Sequence, residues 1–291
     1  MFLNLRSILS YRKSFRNWLW VLYKILKYSY PFEVRLKTGE SYLVYGHTQI
    51  YFLLKGSMPP AFSEDTNVLS ILYKNRPIQF VNALENGAIY EIFIEEPYKE
   101  LRIPNSTVID IGANIGDSSI YFALNGAKKV IAIEPQLRSY ESLIANVKLN
   151  KLESIILPLR AGVGAKHEIL SMDASKVNPS GSSSLNLKNG GEQLEIIDLH
   201  YIVDNFLSKI NSLKIDCEGC EYDFFNGAFT ADLRRFNKIM VEYHYGPRKI
   251  IEKLEQSGFH VSVHPGMLGY NTESKPHFTS TGIAIGTLKN E

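Results

Sequence analysis

The sequence has few cysteines, little net charge and no long uncharged stretch near its start. Two cysteines in 291 residues exclude a disulfide-dense secreted scaffold. A formal net charge of +2 gives no general reason to expect a nucleic-acid partner. The longest uncharged run in the first apolar segment, residues 17–23, is far shorter than the roughly 20 residues that span a membrane. No small-residue cleavage site follows that segment, so a signal peptide is not expected.

The first thirty residues combine basic and apolar side chains and carry no acidic one. Their apolar residues recur at helical spacing, which predicts an amphipathic helix: Phe15, Trp18, Leu19, Leu22, Ile25 and Leu26. A basic, aromatic, amphipathic helix favours peripheral contact with an anionic membrane surface. Packing of this helix on the rest of the chain, or on a second subunit of a homo-oligomer, is the alternative that we prefer slightly. Apart from such contact, we expect a cytoplasmic protein.

Alternating strand and helix patterns begin near residue 89 and continue to the end of the chain. The predicted strands cover residues 107–111, 129–134, 155–160, 212–215, 238–243, 259–263 and 282–288. This order predicts an α/β fold with a doubly wound, mostly parallel sheet and a C-terminal antiparallel hairpin. Residues 173–195 are rich in Ser, Gly, Asn and Lys and predict a long loop. We therefore expect a catalytic domain over 89–291 and an accessory region over 1–88. The accessory region contains a hairpin followed, over residues 46–88, by mixed helix and loop signals with breaks at residues 59–60 and at Pro77.

The most informative segment, residues 108–117, predicts a buried strand, a glycine-bearing turn and a helix that begins near Ser118. Glycine lacks a Cβ, so such a turn brings bare backbone close to a ligand. The next strand ends on Glu134, 24 residues after Asp110. An acidic residue at that offset is placed to bind a ribose diol. The two strands therefore predict a nucleoside cofactor.

The residues of the turn distinguish between nucleoside cofactors. A dinucleotide fingerprint requires glycine at three positions, but only Gly112 is present, with Asn114 and Asp117 at the other two. S-adenosylmethionine carries a cationic sulfonium and an amino group, which the acids Asp110 and Asp117 suit. The D-x-G-x-N-x-G spacing from Asp110 to Gly116 resembles the first motif of class I methyltransferases. A nucleotide-dependent oxidoreductase, or an ordinary strand–turn–helix in a non-catalytic membrane- or partner-docking protein, remains the alternative.

Further polar residues follow the later strands, where ligands of open α/β sheets bind. Asp216 and Glu218 end one strand, and Glu242 and His244 end the next. Histidine is suited to proton transfer near neutral pH, whereas a structural ion-pair network is the alternative. Asp216, Glu242 and His244 could also bind a divalent metal, but no local ligand spacing supports one, so no metal is predicted.

Cys217 and Cys220 form a C-x-x-C pattern in the same segment. A redox pair would open a helix near the start of a small domain, and a zinc site would need further cysteines. We therefore interpret both as small residues at a strand end, with one of them near the ligand.

Taken together, these segments resemble the FkbM family of S-adenosylmethionine-dependent methyltransferases. The matching pieces are Tyr90, residues 110–116, residues 133–135, residues 197–199, residues 213–219 with Glu221, and residues 241–244. Cys220 stands where the family usually carries alanine. The resemblance implies a Rossmann-like class I methyltransferase fold and transfer of methyl to a hydroxyl of a sugar, lipid or secondary metabolite.

We therefore predict O-methylation of a small-molecule, glycan or lipid acceptor, with no nucleic acid involved. His244 is the first choice for the base, followed by Asp216 or Glu218, and a divalent ion is the other route. The cofactor-binding residues are expected to be Tyr90, Asp110, Gly112, Asn114, Gly116, Asp117, Glu134 and Ala161.

Overall fold

The computed structural model describes residues 5–172, 192–265 and 281–289. Its contacts divide the chain into two compact units, Met1–Pro97 and Tyr98–Glu291. This division falls a few residues after the boundary that the sequence suggests at residue 88. A 3₁₀ turn, Pro97–Leu101, lies across it.

Unit 1 begins with two helices instead of the single amphipathic helix that was predicted. The side chain of Asn17 explains the break, since it donates to the carbonyl of Glu33 at 3.0 Å and accepts from the N–H of Arg35 at 3.0 Å. The helices of unit 1 are α1 (Leu5–Ser14), α2 (Trp18–Leu26), α3 (His47–Leu54) and α4 (Ala88–Tyr90), the last continued by a π-helical turn, Glu91–Glu95. A hydrophobic core joins α1, α2 and α3 with the hairpin that lies between α2 and α3 in sequence.

The predicted hairpin is confirmed: β1 (Phe32–Arg35) pairs antiparallel with β2 (Ser41–Val44). The expectation of helices and loops over 46–88 is wrong in part, because this segment contains a three-stranded antiparallel sheet. Its strands are β3 (Ala61–Ser63), β4 (Val68–Tyr73) and β5 (Arg76–Val81). Pro77 suggested a break, but it lies in β5, which is an edge strand of the sheet, where proline is tolerated.

Unit 2 is built on a seven-stranded sheet with the order β14–β15–β13–β12–β6–β7–β8. The strands are β6 (Thr107–Ile111), β7 (Lys129–Ile133), β8 (Ile156–Leu159), β12 (Asn211–Ile215), β13 (Lys238–Tyr243), β14 (Phe259–Pro265) and β15 (Gly282–Leu288). The first five run parallel, and β15 pairs antiparallel with both β13 and β14. The predicted α/β sheet with its C-terminal antiparallel hairpin is therefore confirmed.

Helices accompany this sheet, as the alternating pattern predicts. They are α5 (Asp117–Leu124), α6 (Leu137–Leu149), α7 (Leu199–Phe206), α8 (Cys220–Gly227), α9 (Thr230–Leu233) and α10 (Arg248–Gln256). All five residues of β6 and of β12 are buried, although β12 contains the polar residues Asn211, Ser212 and Lys214.

The residues between β8 and β12 in sequence form a smaller, three-stranded sheet. Its strands are β9 (Gly162–Val163), β10 (Glu168–Met172) and β11 (Glu192–Ile197). The prediction of a loop over residues 173–195 is wrong for residues 192–195. These residues belong to strand β11, which pairs antiparallel with β10. The remainder of that prediction, 173–191, lies outside the described residues. Among the helices that the structure describes, none has the length and apolar character needed to cross a bilayer.

Candidate functional site

The main sheet changes its strand order between β6 and β12, and a cavity of about 500 Å³ lies at their carboxyl ends. From β6 the chain proceeds outward through β7 to β8, and it then returns on the other side of β6 to form β12. Ligands of open α/β sheets bind at such a switch point. Gly112 follows β6 and Asp216 follows β12, and both line the cavity.

The loop after β6 owes its shape to three residues with left-handed backbone, Gly112 (φ 74°), Asn114 (φ 47°) and Gly116 (φ 90°). A Cβ at Gly112 would lie 1.7 Å from the carbonyl oxygen of Asp216. Glycine is therefore required here because the loop contacts the neighbouring strand end as well as the cavity. A Cβ at Gly116 would lie 2.6 Å from the side chain of Leu143, so this glycine permits close packing of α6.

Glu134 follows β7, and its buried carboxylate lines the cavity. Its two oxygens accept hydrogen bonds from the backbone N–H groups of Asn114 at 3.0 Å and Gln136 at 2.9 Å. Burial raises the pKa of Glu134 above its ordinary value, although these two hydrogen bonds act in the opposite direction. The carboxylate is thus held in a fixed orientation and retains lone pairs for a hydroxyl donor.

Asp110 and Lys214 form a buried ion pair behind the loop, at 3.2 Å. Lys214 also donates to the carbonyls of Ile111 at 3.3 Å and Gly112 at 2.9 Å. Burial alone would lower the pKa of Lys214, but the charges of Asp110 and its neighbours outweigh it and raise the pKa. The Asp110 carboxylate also accepts from the hydroxyls of Ser118 and Ser119 at the start of α5. The pair therefore joins β6, β12 and the loop.

Cys217 and Cys220 form a disulfide bridge, so the interpretation of both as merely small residues is wrong. Glu218 (φ 57°) and Gly219 (φ 119°) between them adopt left-handed backbone. The chain therefore turns back and brings the two cysteine Cα atoms to 5.5 Å, within the range of a disulfide. The bridged loop lines the cavity.

A second group of polar side chains lies at the ends of β12 and β13. The Nδ1 atom of His244 lies 2.8 Å from the carboxylate of Glu221, which is fully buried. Its Nε2 atom lies 3.4 Å from Glu218 and 4.0 Å from Asp216. Asp216 and Glu242 each place a carboxylate oxygen within 4.8 Å of a His244 ring nitrogen and of each other.

Charge in this group shifts two pKa values. Burial would lower the pKa of His244, but the hydrogen bond and charge of Glu221, with the charges of Glu218 and Asp216, raise it to about 9. Burial and the charge of Asp216 raise the pKa of Glu242 to about 7. At pH 7 His244 is therefore an imidazolium unless another cation takes the place of its Nε2 proton.

The structure brings together only part of the predicted site. Six of the predicted site residues line the cavity: Gly112, Asn114, Glu134, Ala161, Asp216 and Glu218. Asp110, Gly116, Asp117 and His244 lie outside its lining. Tyr90 belongs to unit 1, where its ring packs against Tyr51 and Phe52. The roles proposed for these residues remain predictions.

Sequence reasoning missed several residues of the site. Glu221 was noted only as part of a motif, and its link to His244 joins residues of two different elements. Gln136 and Ser139 line the cavity beside Glu134, and Glu168 and Asp223 add carboxylates. Of these, Gln136 had a usable signal, because it lies two residues beyond the predicted ribose-binding acid.

Comparisons with known proteins agree with this geometry. Residues 110–261, just over half of the chain, match the family model described as the methyltransferase FkbM domain. The hexuronic acid methyltransferase AglP of Haloferax volcanii is 25% identical over 151 residues. That alignment covers 51% of this chain and 61% of the relative, which is less than two thirds of its length. Methyltransferase sdnD of Sordaria araneosa is 25% identical over 220 residues, covering 62% of this chain and 85% of the relative.

Two solved structures are similar at lower identity. Precorrin-6y C5,15-methyltransferase from Geobacter metallireducens has a TM-score of 0.38 at 16% identity, and the match covers 64% of this chain and 81% of that one. The M. jannaschii TYW2 protein in complex with AdoMet has a TM-score of 0.42 at 14% identity, covering 76% and 85%.

Proposed function

The chain belongs to the FkbM methyltransferase family, and on that premise we propose that it is an S-adenosylmethionine-dependent O-methyltransferase. Its proposed acceptor is a hydroxyl group of a sugar, a lipid or another small metabolite. Methyl transfer is the activity of the family, whereas the attacking oxygen and the class of acceptor are our proposal.

The charge of the cavity is the observation that supports this cofactor most directly. Among the described residues that line it, five are acidic and none is Lys, Arg or His; the acidic residues are Glu134, Glu168, Asp216, Glu218 and Asp223. A pyrophosphate in such a cavity would be repelled and would find no cationic partner. A sulfonium and an amino group are attracted instead. The cavity therefore favours S-adenosylmethionine over a dinucleotide.

The donor set also fits the cofactor. Glu134 is oriented by two N–H groups and would hold the ribose hydroxyls, as the sequence predicts. Ala161 and Gly162 form a small-residue edge of the cavity and would lie beside the adenine. When bound, the cofactor supplies a methyl group on a positively charged sulfur. The chain contributes position and charge, which account for much of the acceleration in displacements of this kind.

The proton of the acceptor hydroxyl needs a destination. Asp216 and Glu218 line the cavity. The Nε2 atom of His244, which lies outside the lining, is 4.0 Å from the Asp216 carboxylate and 3.4 Å from that of Glu218. We assign proton acceptance at pH 7 to Asp216 or Glu218, whose carboxylates the His244 imidazolium faces, and proton acceptance by His244 itself only above its pKa of about 9. His244→Ala should therefore lower turnover and leave cofactor binding near normal, and unchanged turnover would remove His244 from the mechanism.

The name of one relative favours a small acceptor. The archaeal relative is named for hexuronic acid, a sugar acid, and the fungal relative is named as a methyltransferase. A hydroxyl of a sugar acid is accordingly the first acceptor class to screen.

Calorimetric titration with S-adenosylhomocysteine, with NAD in parallel, tests the proposal. We expect one molecule of S-adenosylhomocysteine per chain, no binding of NAD, and loss of binding in Glu134→Ala. Glu153→Ala, on a surface residue outside the cavity lining, is the matched control. Binding of NAD alone would favour the oxidoreductase alternative, and binding of neither would refute the cofactor assignment.

We also propose peripheral membrane contact through α2, because one of its faces exposes a group of apolar side chains. That face comprises Leu19, Trp20, Tyr23 and Leu26. Lys24 lies 4.9 Å from the centre of the Trp20 ring, so a basic side chain accompanies the aromatic ones. Such a face suits an anionic bilayer surface. The double variant Leu19→Glu, Trp20→Glu should lose sedimentation with anionic vesicles, and unaffected sedimentation would refute the contact.

A further inference from the structure

Three side chains that meet at the ends of two neighbouring parallel strands have the composition of a metal site. Asp216 follows β12, Glu242 lies in β13 and His244 follows β13. One ligand atom from each lies within 4.8 Å of the other two. Two carboxylate oxygens and one imidazole nitrogen form a ligand set that suits a divalent cation such as Mn²⁺, Mg²⁺ or Zn²⁺.

The orientation of His244 is a second observation, and it comes from a residue outside the three. Glu221 is fully buried and lies 2.8 Å from Nδ1 of His244. An ionised carboxylate only accepts hydrogen bonds, so Nδ1 must carry a proton. The other nitrogen, Nε2, is thereby turned toward the carboxylates. A buried carboxylate that fixes a histidine in this way is the usual outer partner of a metal-binding imidazole.

The charge balance of the group gives a third argument. Asp216 places Oδ2 3.8 Å from Lys214, but Lys214 is already paired with Asp110 at 3.2 Å. The other Asp216 oxygen, Oδ1, faces Nε2 of His244 at 4.0 Å. Glu242 is partly buried, and the carboxylates of Asp216, Glu218 and Glu242 surround a single imidazole ring, so a divalent cation would compensate the negative charge that this ring leaves.

We propose that Asp216, Glu242 and His244 bind one divalent cation, with Glu221 as the positioning residue that orients His244. Three protein ligands leave coordination positions for water or for an acceptor hydroxyl. Asp216 also lines the cavity, so the cation would lie at its edge. This inference rests on the proposed function only for the role of the cation, which would lower the pKa of an acceptor hydroxyl that it contacts.

Binding of Mn²⁺ to the full chain tests the site without recourse to activity. Electron paramagnetic resonance measures the loss of the free Mn²⁺ signal as protein is added. We expect one bound ion per chain, and binding weakened at least about tenfold in Glu242→Gln and in Glu221→Gln. Glu242 lies outside the cavity lining, so its variant should still bind S-adenosylhomocysteine, which verifies folding.

A matched control is available on the surface of unit 2. His200 lies 3.5 Å from Asp204 and 3.2 Å from Asp232, but its side chain is exposed and its carboxylate partners lie on opposite ring nitrogens. Asp204→Asn should therefore leave Mn²⁺ binding unchanged.

The two proposals fail separately. A chain that binds S-adenosylhomocysteine but takes up no Mn²⁺, or whose Glu242→Gln variant binds Mn²⁺ as the unmodified chain does, overturns the metal site alone. A chain that binds Mn²⁺ with the expected variant pattern but no S-adenosylhomocysteine overturns the proposed cofactor and leaves the metal site standing.

Discussion

Replacement of Lys214 by methionine should destabilise unit 2 more than any surface substitution, because it removes one half of a buried ion pair. Lys214 is 2% exposed and Asp110 is fully buried. Methionine fills a similar volume, so the change removes the charge and the hydrogen bonds while leaving much of the packing. The carbonyls of Ile111 and Gly112 lose their lysine donor together with Asp110.

The cost of such a change can be bounded. Removal of one partner from a buried pair leaves an uncompensated charge and costs about 3–5 kcal/mol. Total stabilities are about 5–15 kcal/mol, so Lys214→Met should remove a large share of the margin of unit 2. In Lys214→Met with Asp110→Asn, no charge is left unpaired between the two positions. We therefore expect the double variant to be more stable than the sum of the single changes predicts, by about 1–3 kcal/mol.

Hydrogen exchange of β6 and β12, followed by mass spectrometry during urea unfolding, reports this sheet directly. Trp18 and Trp20 are the two tryptophans of the chain and both belong to unit 1, so tryptophan fluorescence would report unit 1 instead. Arg248→Met, which breaks an exposed pair with Glu252 at 2.9 Å, is the control and should cost less than about 1 kcal/mol. Strictly additive single and double variants would refute the coupling of Lys214 and Asp110.

Three further predictions concern the loop and the cavity. Because the pKa of Glu134 is raised above the ordinary value of 4.5, its carboxylate takes up a proton at a higher pH than an ordinary glutamate. Titrations at several pH values should therefore show that S-adenosylhomocysteine binding already weakens while the pH is above 4.5 and weakens further as the pH falls. A flat profile would contradict the role of Glu134. Gly112→Ala combines a left-handed backbone with a clash against a neighbouring strand end, whereas Gly39→Ala has only the strained backbone (φ 120°), because no atom lies near its Cβ. Urea unfolding should show a larger loss of unfolding free energy for Gly112→Ala, and equal losses would refute the clash. Cys217 and Cys220 should resist alkylation until a reductant is added and should then add two labels by mass, so that labelling without reductant would contradict the bridge.

The parallel strands and Glu134 were predictable because they follow from rules that act over short stretches of sequence. A strand buried on both faces is apolar over most of its length, and residues 108, 109 and 111 of β6 and residues 130–133 of β7 satisfy this. The carboxyl ends of parallel strands share one edge of the sheet, so an acidic residue after β7 had to lie beside the loop after β6. Both segments also carry part of the family resemblance, and the family model matches from residue 110 onward.

The contacts that were missed depend on side chains that meet across the fold. The bond from Glu221 to His244 joins residues 23 apart in sequence, and no local spacing specifies it. The disulfide depends on the positive φ of Glu218, a conformation that residues other than glycine rarely adopt, so the C-x-x-C spacing alone did not predict the bridge. In unit 1, Pro77 was treated as an interruption because only the strand order shows that it lies at an edge.

Asp216 contacts the loop after β6, lines the cavity and belongs to the group of polar side chains around His244. Its substitution therefore changes all three environments at once. Its backbone carbonyl contacts the loop at Gly112, its Oδ2 atom faces Lys214, and its Oδ1 atom faces His244. A change such as Asp216→Asn would alter the charge at Lys214 together with any cation site, so lost activity could have either cause. Glu242 belongs to the same group of polar side chains as Asp216 and His244, but it lies outside the cavity lining. A loss of activity in Glu242→Gln that leaves S-adenosylhomocysteine binding intact would therefore separate the chemistry of the acceptor from binding of the cofactor.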